Sequence, residues 1–192
     1  MIRFTKYNIL AEKLKEELDI PRYQHSLEVA YVASQLAETH GEVKDKAFRA
    51  GLLHDCAKCI PIEVQLALCE MYGIEVSDFD KRSSAVLHAK VGAKLAEDLY
   101  SEQDADVLDA IRYHTTGRPG MSLLEKIIFV ADYVEPGRDK APDLHMIRSL
   151  VLTDLDAAVI KILHDTLLYL QSSGKDTDPA TRETYEYYIA NK

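Results

Sequence analysis

The sequence predicts an all-α fold, a single bundle of helices, and three observations support that class. Apolar residues recur at spacings of three and four along nearly the whole chain, which is the helical period. Helix-breaking residues are few, with 8 glycines and 6 prolines in 192 residues. Strand signals are sparse, and neither a repeat nor a long linker is visible. We therefore expect one domain over residues 1–192, with a core at about 18–173 and a tail at 174–192.

Capping and breaking residues set the expected boundaries of the helices. Pro21 is favoured in the first turn of a helix and Gly41 after the last, so the pair brackets one helix. Ser122 and Glu125 form the S-x-x-E capping box that begins another. In chain order we predict helices with a stripe from Ile9 to Leu18, then Pro21 to His40, Val43 to Cys59, Ile62 to Tyr72, a stripe from His88 to Leu99, Glu102 to His114, Ser122 to Val134, Leu144 to Val151, Asp154 to Ser173, and Thr181 to Ala190.

Charge and cysteine content exclude several classes of protein. The formal net charge is −9, and an acidic chain lacks the basic footprint that nucleic-acid binding needs. No apolar run approaches the ~20 residues that span a bilayer. Three cysteines, an odd number, and the absence of a secretory signal indicate a reducing compartment. We therefore expect a cytoplasmic protein with neither a nucleic-acid nor a membrane partner.

The most informative residues are polar groups on apolar helix stripes. They are His25, His88, His114 and Asp132, together with the adjacent pair His54 and Asp55. A single histidine on such a stripe more often makes one ordinary hydrogen bond, but several such groups on separate helices are harder to explain by chance. A buried carboxylate is costly unless it pairs with a cation or coordinates one. Imidazole and carboxylate groups that converge in a bundle interior predict a metal site.

Several cations lie close in sequence to these groups. Lys58 falls one turn after His54, where a phosphate contact and a solvated cation at a helix end are equally reasonable. Arg118 and Arg138 lie in Gly/Pro loops, and guanidinium groups bind phosphate through paired hydrogen bonds. Within a continuous helix, Asp55 would point ~100° away from His54, so both could approach one metal. Cys56 and Cys59 form a lone C-x-x-C, which is weak evidence for a metal or redox role.

These residues carry a resemblance to a known family. The order His25, His54-Asp55, Asp132 resembles the H…HD…D signature of HD-domain metal-dependent phosphohydrolases. The segments RYQHSLEVA, AGLLHDCAK, LHAKVGA and AIRYHTTGRPGMSLLEKIIFVADYVEPGRD resemble more specifically the YqeK family of symmetrical diadenosine tetraphosphate hydrolases. The similarity covers residues 22–139 most clearly.

The resemblance implies a fold, an activity and a set of site residues. It implies an HD-domain bundle that cleaves diadenosine tetraphosphate into two ADP. His25, His54, Asp55 and Asp132 would bind the metal, while His88 and His114 would hold a second metal or contact phosphate. Asp55 and Lys58 would be catalytic, and the nucleotide would contact Lys58, His88, His114, Thr115, Arg118 and Arg138. Iron is the first expectation, as one or two ions, with Mn, Co or Zn as alternatives.

Two other functions and the oligomeric state stay open at this point. The chain could be a less selective HD-domain nucleotide phosphatase, or a metal-dependent sensor that binds ADP-like ligands without turnover. The expected partner is a dinucleoside polyphosphate or ADP, and a homodimer is left open. The absence of a G-Y-P motif argues against a cyclic-dinucleotide phosphodiesterase.

Overall fold

The computed structural model describes residues 2–192, with side chains from Tyr7 onward, so Met1 of the predicted domain lies outside it. The described residues form ten α-helices and one short 3-10 turn (Asp80–Arg82), and they contain no strand, which confirms the all-α class. The helices are α1 (Ile2–Glu17), α2 (Ile20–His40), α3 (Lys44–Leu53), α4 (Ile62–Tyr72), α5 (Ser84–Tyr100), α6 (Ala105–Tyr113), α7 (Leu123–Val134), α8 (Leu144–Leu150), α9 (Leu155–Ser172) and α10 (Pro179–Ala190).

Most boundaries agree with the capping residues, but the third helix is shorter than predicted. Helix α3 ends at Leu53 instead of Cys59, and the amides of Cys56 and Lys58 bond to carbonyls only three residues back. The cause is the side chain of His54, whose Nδ1–H donates to the carbonyl of Gly51 at 2.7 Å. A continuing helix would offer that carbonyl to the amide of Asp55. A tight turn, not a continuous helix, therefore positions Asp55.

Two apolar clusters meet around this turn. The larger is built mainly from α2, α3, α6, α7 and α9, and the smaller from α1, α4 and α5. Leu53 belongs to the larger cluster and Leu52 to the smaller. Two residues of the predicted stripes lie outside both, since Ile9 is 68% exposed and Leu99 is 45% exposed. The segment 54–57 is therefore buried where the two clusters join.

Helices α2 and α3 cross very closely at Gly51. A Cβ atom at this position would lie 2.8 Å from the Cα of Ala30 and 3.1 Å from the carbonyl oxygen of Val29. Only glycine allows the two backbones to approach so far. Because His25 lies on α2 and His54 follows α3, this crossing sets the distance between the two histidines.

The C-terminal segment is helical and packed against the rest of the chain. Helix α10 lies against α9, and Tyr188 and Thr184 are buried. A Cβ at Gly117, in the loop before α7, would lie 2.8 Å from Thr184, so α10 also rests on that loop. Among the residues that the structure describes, no helix has the length and apolar character needed to cross a membrane.

Candidate metal centre

Six residues from five parts of the bundle converge in one buried place. His25 comes from α2, the pair His54 and Asp55 follows α3, His88 lies on α5, His114 follows α6, and Asp132 lies in the last turn of α7. We call these six residues the His–Asp cluster. His54, Asp55, His88 and His114 are buried, whereas His25 and Asp132 are partly exposed. Each helix buries its apolar stripe, and the polar residue on that stripe is thereby turned into the interior.

The cluster divides into two groups that share Asp55. Its Oδ2 faces the Nε2 atoms of His54 at 3.4 Å and His25 at 3.9 Å. Its Oδ1 faces the Nε2 atoms of His88 at 2.9 Å and His114 at 3.5 Å. Asp132 joins the first group, with its Oδ1 3.1 Å from His25 Nε2 and 4.0 Å from His54 Nε2. One carboxylate therefore contacts all four imidazoles.

The four imidazoles are held in the same way, by their Nδ1 atoms. Three of the Nδ1–H groups face carbonyl oxygens of their own helices: His54 with Gly51 at 2.7 Å, His88 with Ser84 at 3.0 Å, and His114 with Ile111 at 2.7 Å. His25 Nδ1 instead faces the carboxylate of Glu135 at 3.4 Å. A neutral imidazole that donates from Nδ1 has its lone pair on Nε2. All four lone pairs are therefore turned toward the centre of the cluster.

This arrangement fits a divalent metal and is poorly satisfied without a cation. His25 and His54 approach with Nε2 atoms 3.3 Å apart, and His88 and His114 with Nε2 atoms 3.2 Å apart. Two lone pairs at such distances repel unless a proton or cation lies between them. Asp55 Oδ1 is buried and accepts no well-aligned hydrogen bond, although two imidazole nitrogens are close. The donor set of imidazole nitrogens and carboxylate oxygens is the one that transition metals prefer.

The charge states of the cluster also suit metal binding. Burial lowers the pKa of His88 to about 4, and the charges of His114 and Lys58 act in the same direction. Burial alone would raise the pKa of Asp55, but the close imidazoles of His54, His114 and His88 hold that pKa well below its usual range. At neutral pH, His88 is therefore an uncharged ligand and Asp55 an ionised one.

A cavity of about 810 Å³, the first cavity, opens beside the cluster. His25, His114 and Asp132 line one part of it. Arg138 lies there too, and its Nη2 donates to the carbonyl of Asp132 at 2.9 Å and to Oδ1 at 3.3 Å. The remaining wall combines charged residues, among them Asp139, Lys140 and Asp165, with apolar and aromatic ones, which are Phe129, Tyr133, Ala141, Pro142, Ile162 and Tyr169. A guanidinium near the cluster and aromatic walls further away suit a phosphorylated aromatic ligand.

The other predicted nucleotide contacts are spread more widely. Lys58 lies beside the cluster, with its Nζ 3.4 Å from His88 Nε2 and 4.0 Å from Asp55 Oδ1. Thr115 lines the first cavity and also a second cavity of about 810 Å³. Arg118 lines only the second cavity, where its Nε is 2.7 Å from the buried carboxylate of Glu125. The structure therefore brings Lys58, Thr115 and Arg138 to the cluster or its cavity but places Arg118 elsewhere.

Sequence reasoning missed three charged residues that contact the cluster or its surroundings. Arg22 Nη1 donates to Asp55 Oδ2 at 2.7 Å, and it lies one helical turn before His25. Glu135 follows Asp132 by three residues and faces His25, while Glu28 follows His25 by three and bonds to Glu135. The hydrogen bond to Glu135 raises the pKa of Glu28. Each of the three lies three residues from a predicted metal ligand, and this helical spacing is the feature of the sequence that could have indicated it.

Cys56 and Cys59, the C-x-x-C pair, form no disulfide bond in this structure. All three cysteines are free, with Cys56 and Cys69 buried and Cys59 exposed. Cys56 points its thiol at the carbonyl of Gly92, and burial raises the pKa of this thiol to about 12. A thiol with so high a pKa is a poor nucleophile at neutral pH.

Comparison with known proteins gives concordant matches. The HD domain family matches residues 22–137. The chain is 39% identical over 92% of its length to a symmetrical bis(5'-nucleosyl)-tetraphosphatase of Bacillus subtilis, 94% of which is covered. It is 37% identical over 91% of its length to the enzyme of that name from Staphylococcus aureus, with 90% covered.

A solved structure matches the fold over almost the whole chain. It is described as a predicted HD superfamily hydrolase involved in NAD metabolism, from Clostridium acetobutylicum. It shares 40% identity at a TM-score of 0.94, over 97% of this chain and 98% of the other. The HD bundle is therefore shared with proteins of more than one described role.

Proposed function

This chain belongs to the HD-domain family and, within it, to the symmetrical bis(5'-nucleosyl)-tetraphosphatases, and from that premise we propose that it hydrolyses diadenosine tetraphosphate at its central bridge. The reaction consumes one water and yields two ADP. The observation that carries the proposal is the position of Asp55, whose carboxylate lies within 3.9 Å of the Nε2 atoms of all four histidines.

We assign the metal ligands from this geometry. His25, His54, Asp55 and Asp132 would hold one divalent ion, and Asp55, His88 and His114 offer ligand atoms for a second. Iron is the proposed metal, with Mn, Co and Zn as the competing occupants, because imidazole with carboxylate suits all of them. A metal ion held there lowers the pKa of water and withdraws charge from phosphate.

The chain's own cations complete the phosphate-binding surface. Arg138 presents its guanidinium at the edge of Asp132 and in the first cavity, so we assign it to the phosphates of the bound ADP half. Lys58 lies on the opposite side of Asp55 and would neutralise charge on the leaving ADP. Asp55 is ionised and lies between the histidine pairs, where it can orient the attacking water.

The position of cleavage follows from how deep one half of the substrate is held. The first cavity borders the cluster, and its aromatic residues would pack against a nucleoside. If one ADP half fills this cavity, its β-phosphate meets the cluster and the central bridge is the bond under attack. The second half would extend past Lys58 toward solvent.

Product analysis with diadenosine tetraphosphate tests the proposal. Metal-replete protein should release ADP as the sole nucleotide product, and His54→Ala should release none. Parallel assays with ATP, ADP and AMP identify a less selective phosphatase if turnover of these is comparable. Tight ADP binding without turnover of any substrate would contradict the proposal and indicate a nucleotide sensor instead.

A further inference from the structure

Two glutamates outside the His–Asp cluster meet at one backbone amide. The N–H of Gly137 donates to Glu28 Oε2 at 3.1 Å and also to Glu135 Oε2. The other oxygen of Glu135, Oε1, lies 3.4 Å from Nδ1 of His25. Glu135 is only 5% exposed. One buried carboxylate therefore contacts both a proposed metal ligand and the loop after α7.

Two features of the loop after α7 favour this contact, the glycine at position 137 and the hydrogen bonds of Arg148. A Cβ atom at Gly137 would lie 2.8 Å from Glu28 Oε2 and 2.9 Å from Glu135 Oε2, so a side chain here would displace one or both carboxylates from the amide. Arg148 fixes the same loop from the other side, since it donates to the carbonyls of Val134, Glu135 and Arg138. Arg138 directly follows Gly137, so its position depends on these bonds.

We propose that Glu135 is a positioning residue that fixes the ring of His25 for metal binding and, through Gly137, ties that ligand to the loop that carries Arg138. The inference rests on the proposed function only in taking His25 as a metal ligand. A carboxylate that accepts Nδ1–H fixes the ring's tautomer and orientation and makes Nε2 a stronger donor to a metal. The other three histidines use backbone carbonyls for this purpose, so His25 alone depends on a side chain.

Metal affinity is the direct readout, and it needs no substrate. The dissociation constant for Mn²⁺ is measured by competition with a chelator for wild type, Glu135→Ala and Glu135→Gln. We expect Glu135→Ala to bind Mn²⁺ about 10–100-fold more weakly. Glu135→Gln retains an acceptor oxygen and should recover part of the loss. Glu38→Ala, which removes an exposed glutamate of α2 that pairs with Lys44, should leave the constant unchanged.

A second pair of variants tests the loop connection. Gly137→Ala adds a methyl group against both carboxylates and should weaken Mn²⁺ binding, although Gly137 offers no ligand atom. Pro136→Ala alters the exposed neighbouring residue and should not. Circular dichroism confirms that each variant is folded.

Two results separate this inference from the proposed function. Wild-type affinity for Mn²⁺ in folded Glu135→Ala and Gly137→Ala would overturn the inference, whatever the enzyme hydrolyses. Weakened Mn²⁺ binding in both variants would support it even if wild type failed to hydrolyse diadenosine tetraphosphate.

Discussion

The two large cavities of the bundle have the same volume, about 810 Å³, and differ in the polar groups around them. The first opens onto the His–Asp cluster, where imidazole lone pairs and Asp55 Oδ1 lack partners. In the second, cations already have partners: Lys90 with Asp80, Lys94 with Glu97, and Arg118 with Glu125. The convergence of four imidazoles on one buried carboxylate, and not volume, therefore distinguishes the proposed site.

The largest expected effect comes from removing a cluster histidine. His54→Ala deletes a buried imidazole that lies close to both His25 and Asp55, so we expect loss of bound metal and a fall in kcat of about 10³-fold or more. Metal content and steady-state rates measure both effects. Full activity with a normal metal content would remove the cluster from the mechanism.

The next effect tests the first cavity itself. Arg138→Ala should raise KM for diadenosine tetraphosphate about 10–100-fold, because a charge-assisted contact to phosphate is lost. Lys140→Ala is the matched control, since Lys140 lines the same cavity from an exposed position on the same loop. Equal effects of the two variants would mean that general positive charge, not a specific contact, binds the substrate.

A substitution in the second cavity should lower the stability of the protein and leave its activity unchanged. Arg118→Ala leaves the buried carboxylate of Glu125 without its guanidinium partner, so Tm should fall by roughly 2–4 °C. KM should stay near the wild-type value. A large rise in KM with an unchanged Tm would instead place substrate in the second cavity and reverse the comparison.

Asp80, which pairs with Lys90 of the second cavity, should make the stability of the protein depend on pH. Asp80 is fully buried and, despite burial, its hydrogen bonds with Lys90 and Ser77 lower its pKa. A carboxylate with a lowered folded pKa adds stability above its unfolded pKa, near 3.9, and that stability is lost as pH falls. Thermal unfolding should find Asp80→Asn less stable than wild type at pH 7, with a smaller difference below about pH 4. A difference independent of pH would mean that packing, not charge, is lost.

The smallest effect concerns the C-x-x-C pair, which touches neither cavity. Cys59→Ser should have wild-type kinetics with and without reductant, since Cys59 is exposed and Cys56 is buried with a raised pKa. Activity that depends on reductant in wild type but not in the variant would establish a redox role.

The sequence predicted the fold class and most helix boundaries because caps, prolines and glycines act locally. The capping box of Ser122 and Glu125 is present, and α4 has its predicted limits at Ile62 and Tyr72. The predicted end of α3 was wrong because a hydrogen bond from the side chain of His54 to the carbonyl of Gly51 competes with the backbone hydrogen bond of a continuing helix. Residue periodicity does not reveal such bonds.

The cluster was predicted more completely than its surroundings. All six residues converge, since the burial of the stripes brings four of them inward and the turn after α3 places His54 and Asp55 beside them. Arg118 and Arg138 looked equivalent in sequence, and only the fold separates them into different cavities. Sequence reasoning did not distinguish Glu135 from other acidic residues of loops, because its contact partner His25 lies 110 positions away in the chain.

Hydrolysis of diadenosine tetraphosphate in ¹⁸O-labelled water tests the central claim most directly, since it identifies both the products and the phosphorus that is attacked. We predict ADP as the sole nucleotide product, with one of the two ADP molecules from each turnover labelled on its β-phosphate. ATP together with AMP would show cleavage of an outer bridge and contradict this prediction, and the labelled product would identify the phosphorus attacked.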